Sequence, residues 1–325
     1  MTGKVTIKDV AKAAGVSEAT VSRALTHSPR VKRDTRQKIQ NIANNLGYHP
    51  NGLARSIRLQ HTHTLGVIIP DILNAFFTKL SRAIEDAADK AGYDVVLVNT
   101  DESLAKEANA LSLLLEKQVD GIIITSAGGP TKYTDILGNT PAVFVDRMPP
   151  VTGQLAYDRV LVDNIQGTRA VVTELIHQGA QRIGIINSAV FFTATERMTG
   201  YREALTQAGF EPDAAIEATA RTDNSNVQQM TRQLLVNQKC DGLFVADNTI
   251  MEEVLRKLPA LDLPPIHLGG FDDQDWFDFL PQPIVTARQP IAQLGQTAID
   301  RLLAKIDDPD LLPEEIRLAA TTISR

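Results

Sequence analysis

From Leu65 onward the chain alternates short aliphatic runs with amphipathic helices, and it completes that alternation twice. The first cycle reads LGVIIP, a helix over 76–91, YDVVLVN, a helix over 104–117, DGIIIT and PAVFVD. The second reads a helix over 167–178, RIGIIN, helices over 196–209 and 227–237, DGLFVAD, PIHLGGFDD and IVTARQP. Strands written as unbroken Val/Ile runs are covered on both faces, which is how a parallel sheet sits between layers of helix. Two such cycles predict two α/β lobes of similar build, each a doubly wound parallel sheet. The first spans about 64–162 with a return at about 290–318, and the second spans about 163–289.

The stretch before Leu65 has a different period. In TIKDVAKAAGVSEATVSRAL the apolar positions Ile7, Val10, Ala11, Ala14, Val16, Val21 and Leu25 fit two short helices broken at Ala14-Gly15-Val16. Thr6 is placed to cap the first and Ser17 the second. A third helix runs from Lys32 or Asp34 to Asn45, with Ile39, Ile42, Ala43 and Leu46 on one face and Gly47 as its stop. A helix-turn-helix needs a small residue on its first helix, a glycine in the turn and apolar residues that lock the second helix steeply across the first. Ala11, Gly15, Val16 and Val21 meet those needs. The outer face of the second helix then presents Glu18, Ala19, Ser22 and Arg23. A guanidinium pairs bidentately with guanine, so Arg23 is the expected base reader; Ser17, Thr20 and Ser22 are expected phosphate positioners. An all-α headpiece over 1–48 is followed by a hinge over 49–63 and a larger domain over 64–325.

Charge is distributed to match. The whole chain is −6, yet the first 60 residues hold eleven Lys/Arg against Asp9, Glu18 and Asp34, or +8, which leaves −14 for the rest. A basic end suits phosphate contact, and an acidic remainder is repelled from a duplex. The lone Cys240 makes neither an intrachain disulfide nor a cysteine-rich metal site, in keeping with a reducing compartment. The N-terminus lacks an apolar signal core and no window approaches a membrane span, so a cytoplasmic protein with no membrane partner is expected. No nucleophile elbow, Walker loop, zinc-spaced His/Cys set or GxGxxG sits at a strand-to-helix junction, so neither enzyme chemistry nor a cofactor or metal is expected.

The helix-turn-helix stretch, with GYHPNGLARSIR after it, resembles the LacI/GalR repressors, and the likeness runs from Thr6 to the end of the chain. The resemblance implies that Asn51 to Leu59 fold into a hinge helix on operator DNA. Asn51, Ala54 and Arg55 contact DNA there, and Ile57, where the family usually has leucine, is the minor-groove wedge. It also implies a sensor similar to periplasmic sugar-binding proteins, with ligand held between the lobes. IPDILNAFF carries Asp71, Phe76 and Phe77 toward that pocket, with Ala75 where proline is usual. VDR brings Asp146 and Arg147, ERMTGYREAL brings Arg197, and GFDD brings Asp272. Gly200 in that same stretch permits close helix packing. VADN reverses the usual asparagine-aspartate pair, so Asp247 stands where an amide is expected. Trp276 is placed beside the pocket or capping the lobe. The stretches IMEEVLRKL and FDDQDWFDFL look most like the branch that regulates sugar-acid use, such as the 2-keto-3-deoxygluconate regulators.

A homodimer on a pseudo-palindromic operator follows from that likeness, controlled by a small effector: a sugar, a sugar acid or a sugar phosphate. Two other readings remain open at this point. One is control by a phosphorylated carrier protein, as in the catabolite-control relatives, and the other is a solute-binding protein.

Overall fold

The computed structural model describes residues 5–25, 30–48, 61–129, 131–149, 156–188, 192–211 and 213–325. It forms two compact units, Met1–Thr62 and His63–Arg325.

In the smaller unit, α1 (Ile7–Ala14), α2 (Glu18–Leu25) and α3 (Arg33–Asn45) enclose a core of Val10, Ala11, Ala14, Val21, Ala24, Val31, Ile39 and Ala43. Thr6 precedes α1, and the Asp9 carboxylate accepts from its backbone N–H at 2.9 Å and its hydroxyl at 2.7 Å, a capping box that fixes the first turn. Those bonds hold the Asp9 carboxyl below its ordinary value. Gly15 closes α1 at φ +70°, the left-handed conformation that glycine adopts without a Cβ penalty. Val16 then donates back to Ala11 O at 3.1 Å, and Lys38 reaches Ala14 O at 3.4 Å from α3. Ser17 Oγ accepts from the backbone N–H of Thr20 at 3.2 Å and starts α2. Leu46, expected on the buried face of α3, is 39% exposed because it lies one residue past the helix.

The larger unit opens with β1 (Thr64–Ile69), α4 (Ala75–Lys90), β2 (Asp94–Asn99), α5 (Leu104–Glu116), β3 (Gly121–Ile124), α6 (Tyr133–Leu137), β4 (Ala142–Val145) and β5 (Asp158–Val162). It continues through α7 (Asn164–His177), β6 (Ile183–Ser188), α8 (Phe192–Gln207), β7 (Glu217–Ala220), α9 (Val227–Arg232), β8 (Gly242–Val245), α10 (Asn248–Lys257), β9 (His267–Phe271) and β10 (Ile284–Arg288). The helix α11 (Ile291–Asp307) and the strands β11 (Glu315–Leu318) and β12 (Thr321–Ser324) complete it. The first sheet runs β11-β5-β4-β3-β1-β2 and the second β12-β10-β9-β8-β6-β7, so one winding order is used twice. Pairing is parallel except where β12 runs antiparallel to β10. The chain passes between lobes at β5 to α7, at β10 to α11 and at β11 to β12.

Strands β3, β4, β5 and β8 are buried along their length. Helices approach closely where glycine allows it: a Cβ on Gly200 of α8 would lie 2.4 Å from Ile165 O of α7. In the first lobe a Cβ on Gly295 of α11 would meet the Ala83 backbone of α4 at 2.8 Å. β5 and β7 were not expected. β5 begins with two charged residues, each held by a partner: Asp158 bonds to Arg301, and Arg159 reaches Glu315 at 3.2 Å. β7 reads EATA and has no aliphatic run. Among the described residues no helix is long and apolar enough to cross a membrane.

Candidate ligand cleft and nucleic-acid interface

In an open parallel sheet, ligands gather beyond the carboxyl ends of the strands. Here two sheets present those ends to one another, and the first polar residues past each strand meet in one narrow cleft. From the first lobe come Asn74, Phe76 and Phe77 after β1, and Asp146 and Arg147 after β4. The second lobe supplies Thr193 and Arg197 on α8, Asp247 and Asn248 after β8, Asp272 after β9, and Gln289 after β10.

Asp146 and Asp272 occupy equivalent places in the two lobes, one residue past β4 and β9. Both have left-handed backbone, at φ 62° and 72°. Non-glycine residues enter that region at a cost of order 1–3 kcal/mol, a strain that collects at functional sites. Both carboxylates are buried, and burial raises both above their ordinary value, Asp146 to about 6. Arg147 and Arg197 oppose the rise at Asp146; Arg197 is the stronger counterweight at Asp272.

Neither arginine hangs loose. Arg147 Nη1 donates to both Glu102 oxygens at 2.8 and 2.9 Å, and its guanidinium lies 4.9 Å from the Phe77 ring centroid. Arg197 donates from Nε to Asn164 Oδ1 at 2.9 Å and from Nη1 to Ala246 O at 2.6 Å, stacked 3.8 Å over Phe271. Behind it Asn164 donates to Glu196 at 2.9 Å, and Glu196 accepts from Arg317 at 2.7 Å. Phe76 and Phe77 meet edge to face at 5.1 Å and lie buried beside the cleft.

Asp247 is the N-cap of α10: its Oδ1 accepts from Thr249 N at 2.8 Å, Ile250 N at 3.4 Å and the Thr249 hydroxyl at 2.6 Å. The neighbouring Asn248 crosses the cleft instead, exchanging side-chain hydrogen bonds with Asn74. Two expected residues do not line this cleft. Asp71 accepts from Leu73 N at 2.9 Å in the turn before α4, and Trp276 is 40% exposed with its ring edge on Phe277. Asn74, Thr193, Asn248 and Gln289 were missed by sequence reasoning, although each lies just past a strand or at the start of a helix.

On the headpiece, Glu18, Ala19 and Arg23 are exposed on one face of α2, with Thr20 and Ser22 half-buried beside them and exposed Ser17 at its start. Thr6 is exposed at the start of α1. Asn51, Ala54, Arg55 and Ile57 lie outside the described residues. Cys240 is buried against Gly184, and burial pushes its thiol up to about 11. Among the described residues no group of three or more His, Cys, Asp or Glu side chains is placed to hold a metal ion.

Residues 6–51 match the family described as bacterial regulatory proteins, lacI family. Residues 62–248 match the periplasmic binding proteins and sugar binding domain of that family, and residues 172–325 match a periplasmic binding protein-like domain. The chain is 33% identical to the ribose operon repressor of Bacillus subtilis strain 168, over 98% of this chain and 97% of that one. It is 31% identical to catabolite control protein A of Priestia megaterium, over 96% and 95%. Among solved structures it superposes with TM-score 0.82 and 25% identity on the lac repressor dimer bound to operator and the anti-inducer ONPF, covering 99% of this chain and 98% of that one. The two relatives are named for ribose and for catabolite control, not for sugar acids.

Proposed function

The chain belongs to the lacI family of bacterial regulatory proteins, and on that premise we propose that the cleft takes up a sugar whose binding sets the affinity of the headpiece for operator DNA. The protein is a DNA-binding transcription regulator and not an enzyme. It works as a cytoplasmic homodimer, two headpieces reading the two half-sites of one operator. Arg23 reads a base edge, with Ser17, Thr20 and Ser22 on phosphates and Glu18, Ala19 and Thr6 against the duplex. In the hinge, Asn51, Ala54 and Arg55 contact DNA and Ile57 wedges the minor groove.

The observation that carries the effector reading is the facing pair Asp146 and Asp272, one from each lobe and both in strained backbone, at the mouths of two sheets that can close on one ligand. Phe76, Phe77, Arg147, Arg197 and Asp247 complete the contact set. Because these groups converge on an enclosed space, they favour a small molecule over a carrier protein. Coupling between the cleft and DNA is reciprocal, so a sugar that weakens operator binding must itself bind the operator complex more weakly.

The test is operator affinity, measured by fluorescence anisotropy on the regulator's own promoter region with and without candidate sugars. A sugar that shifts the operator Kd by about 5–150-fold, the usual range for allosteric coupling, supports the reading, and the direction gives induction or corepression. Operator binding that no sugar alters overturns it.

A further inference from the structure

The cleft is lined by more carboxylates than guanidinium groups, and it holds a buried acceptor without a donor. We propose that it is built for a neutral polyol and rejects sugar phosphates and sugar acids; the proposal rests on the effector reading above.

Three carboxylates, Asp146, Asp247 and Asp272, face the cleft against two guanidinium groups, Arg147 and Arg197. Arg147 already neutralises Glu102, held through both carboxylate oxygens. Arg197 has its Nε and Nη1 on protein oxygens and its face on Phe271. An incoming phosphate or carboxylate therefore meets three carboxylates, two of them buried, with no arginine set as a fork to receive it.

The acceptors point to what does fit. Gln289 is buried and donates its Nε2 to Asp272 Oδ1, which leaves its own Oε1 buried with no partner. A buried acceptor without a donor is costly, and a ligand hydroxyl relieves it. Asp272 Oδ2 lies beside it in the second lobe, and Asp146 stands opposite in the first, 3.8 Å from Arg147 Nε. Acceptors at both ends of the cleft call for a ligand with hydroxyl donors at both ends, and an ionised phosphate or carboxylate has none to offer.

The experiment is isothermal titration of the full-length protein with matched triplets of pentoses and hexoses, beginning with D-ribose, D-ribonate and D-ribose 5-phosphate. The neutral member of one triplet is expected to bind at least about 100-fold more tightly than its acid and its phosphate. Asp272→Asn, and separately Asp146→Asn, should narrow that gap about tenfold by weakening the neutral sugar and relieving repulsion of the anions. Circular dichroism checks that each variant is folded. A phosphate or acid that binds more tightly than its neutral parent overturns the proposal and leaves the effector cleft standing, as does a gap that neither substitution changes. A protein that binds operator DNA but none of the triplets at millimolar concentration overturns the effector reading itself.

Discussion

Asn74 and Asn248 exchange hydrogen bonds across the cleft: Asn74 Nδ2 donates to Asn248 Oδ1 at 3.2 Å, and Asn248 Nδ2 donates back to Asn74 Oδ1 at 2.7 Å. Each asparagine belongs to a different lobe, and both are buried. A reciprocal amide pair satisfies donor and acceptor at once, so it holds the two lobes together without a charge to desolvate. The lobes are thus tied at the place where a ligand would sit, and closing and ligand contact involve the same side chains.

If the pair is a latch, its two halves are worth the same to the closed state. Asn248→Ala is expected to weaken effector binding about tenfold, and adding Asn74→Ala should cost little more, a coupling of about 1 kcal/mol in a double-mutant cycle on effector Kd. Asn74 also accepts from Phe76 N at 3.0 Å as the N-cap of α4, so Asn74→Ala should lower Tm further than Asn248→Ala does. Effects on Kd that simply add would remove the latch.

Asp146 gives a pH signature. Burial raises it from 3.8 to about 6, so between those values the folded protein keeps a proton that the unfolded chain has lost. Stability contributed by this group is full below about pH 4 and is lost as pH rises through 6. Asp146→Asn removes the cost of the buried charge, at most about 3 kcal/mol. It should therefore raise Tm by about 5 °C at pH 7.5 and much less at pH 4.5, while effector binding falls. Thermal melts of both proteins across that range decide it, and a Tm gap that does not vary with pH would falsify the assignment.

The fold was legible where burial forces a pattern. β1, β3, β4 and β8 are unbroken aliphatic runs because helices cover both faces. β5 escaped notice because Asp158 and Arg159 look like surface residues and are buried only by pairing with Arg301 and Glu315, partners more than 140 positions away. In the cleft, charge and aromaticity made Phe76, Phe77, Asp146, Arg147, Arg197, Asp247 and Asp272 stand out, and the structure gathers all seven. Asn74, Thr193, Asn248 and Gln289 are small neutral polar residues with no such signal. What marks them is position, since each follows a strand that ends at the cleft. Trp276 was conspicuous for its size alone, and it lies outside the cleft because the turn after β9 carries it to the surface. In the headpiece the apolar spacing marked the three short helices that share one small core, while the DNA contacts of the hinge after them were read only through the resemblance to lacI-family regulators.

Arg197 separates ligand sensing from DNA binding. Its side chain touches only the cleft and the groups behind it, so Arg197→Ala should leave operator affinity within about twofold and abolish the response to effector. Asn164 Oδ1 and Ala246 O lose their donor, so Tm should also drop, by about 3–6 °C. Arg197→Lys keeps the charge but not the fork, and should restore stability more than it restores sensing. Anisotropy titrations with and without effector, beside melting curves, distinguish these effects; an effector response retained in Arg197→Ala would move the ligand elsewhere.

Arg23 tests the headpiece. It is exposed on the face of α2 that carries Glu18 and Ala19, opposite the buried Val21 and Ala24. A base contact and a phosphate contact differ in what their loss does. Losing a bidentate guanine contact costs about 1–3 kcal/mol on the preferred sequence only, and relaxes discrimination at one position of each half-site. Losing a phosphate contact weakens every sequence alike and lowers the slope of log Kd against log salt by about one. Arg23→Ala is expected to follow the first pattern and Thr20→Ala a milder form of the second. A binding-site selection on the Arg23→Ala protein, with salt titrations on the best and a scrambled site, reads both quantities. Uniform loss across sequences with a reduced salt slope would assign Arg23 to the backbone and leave Ser22 or Ala19, its neighbours on that face, as the residues nearest the bases.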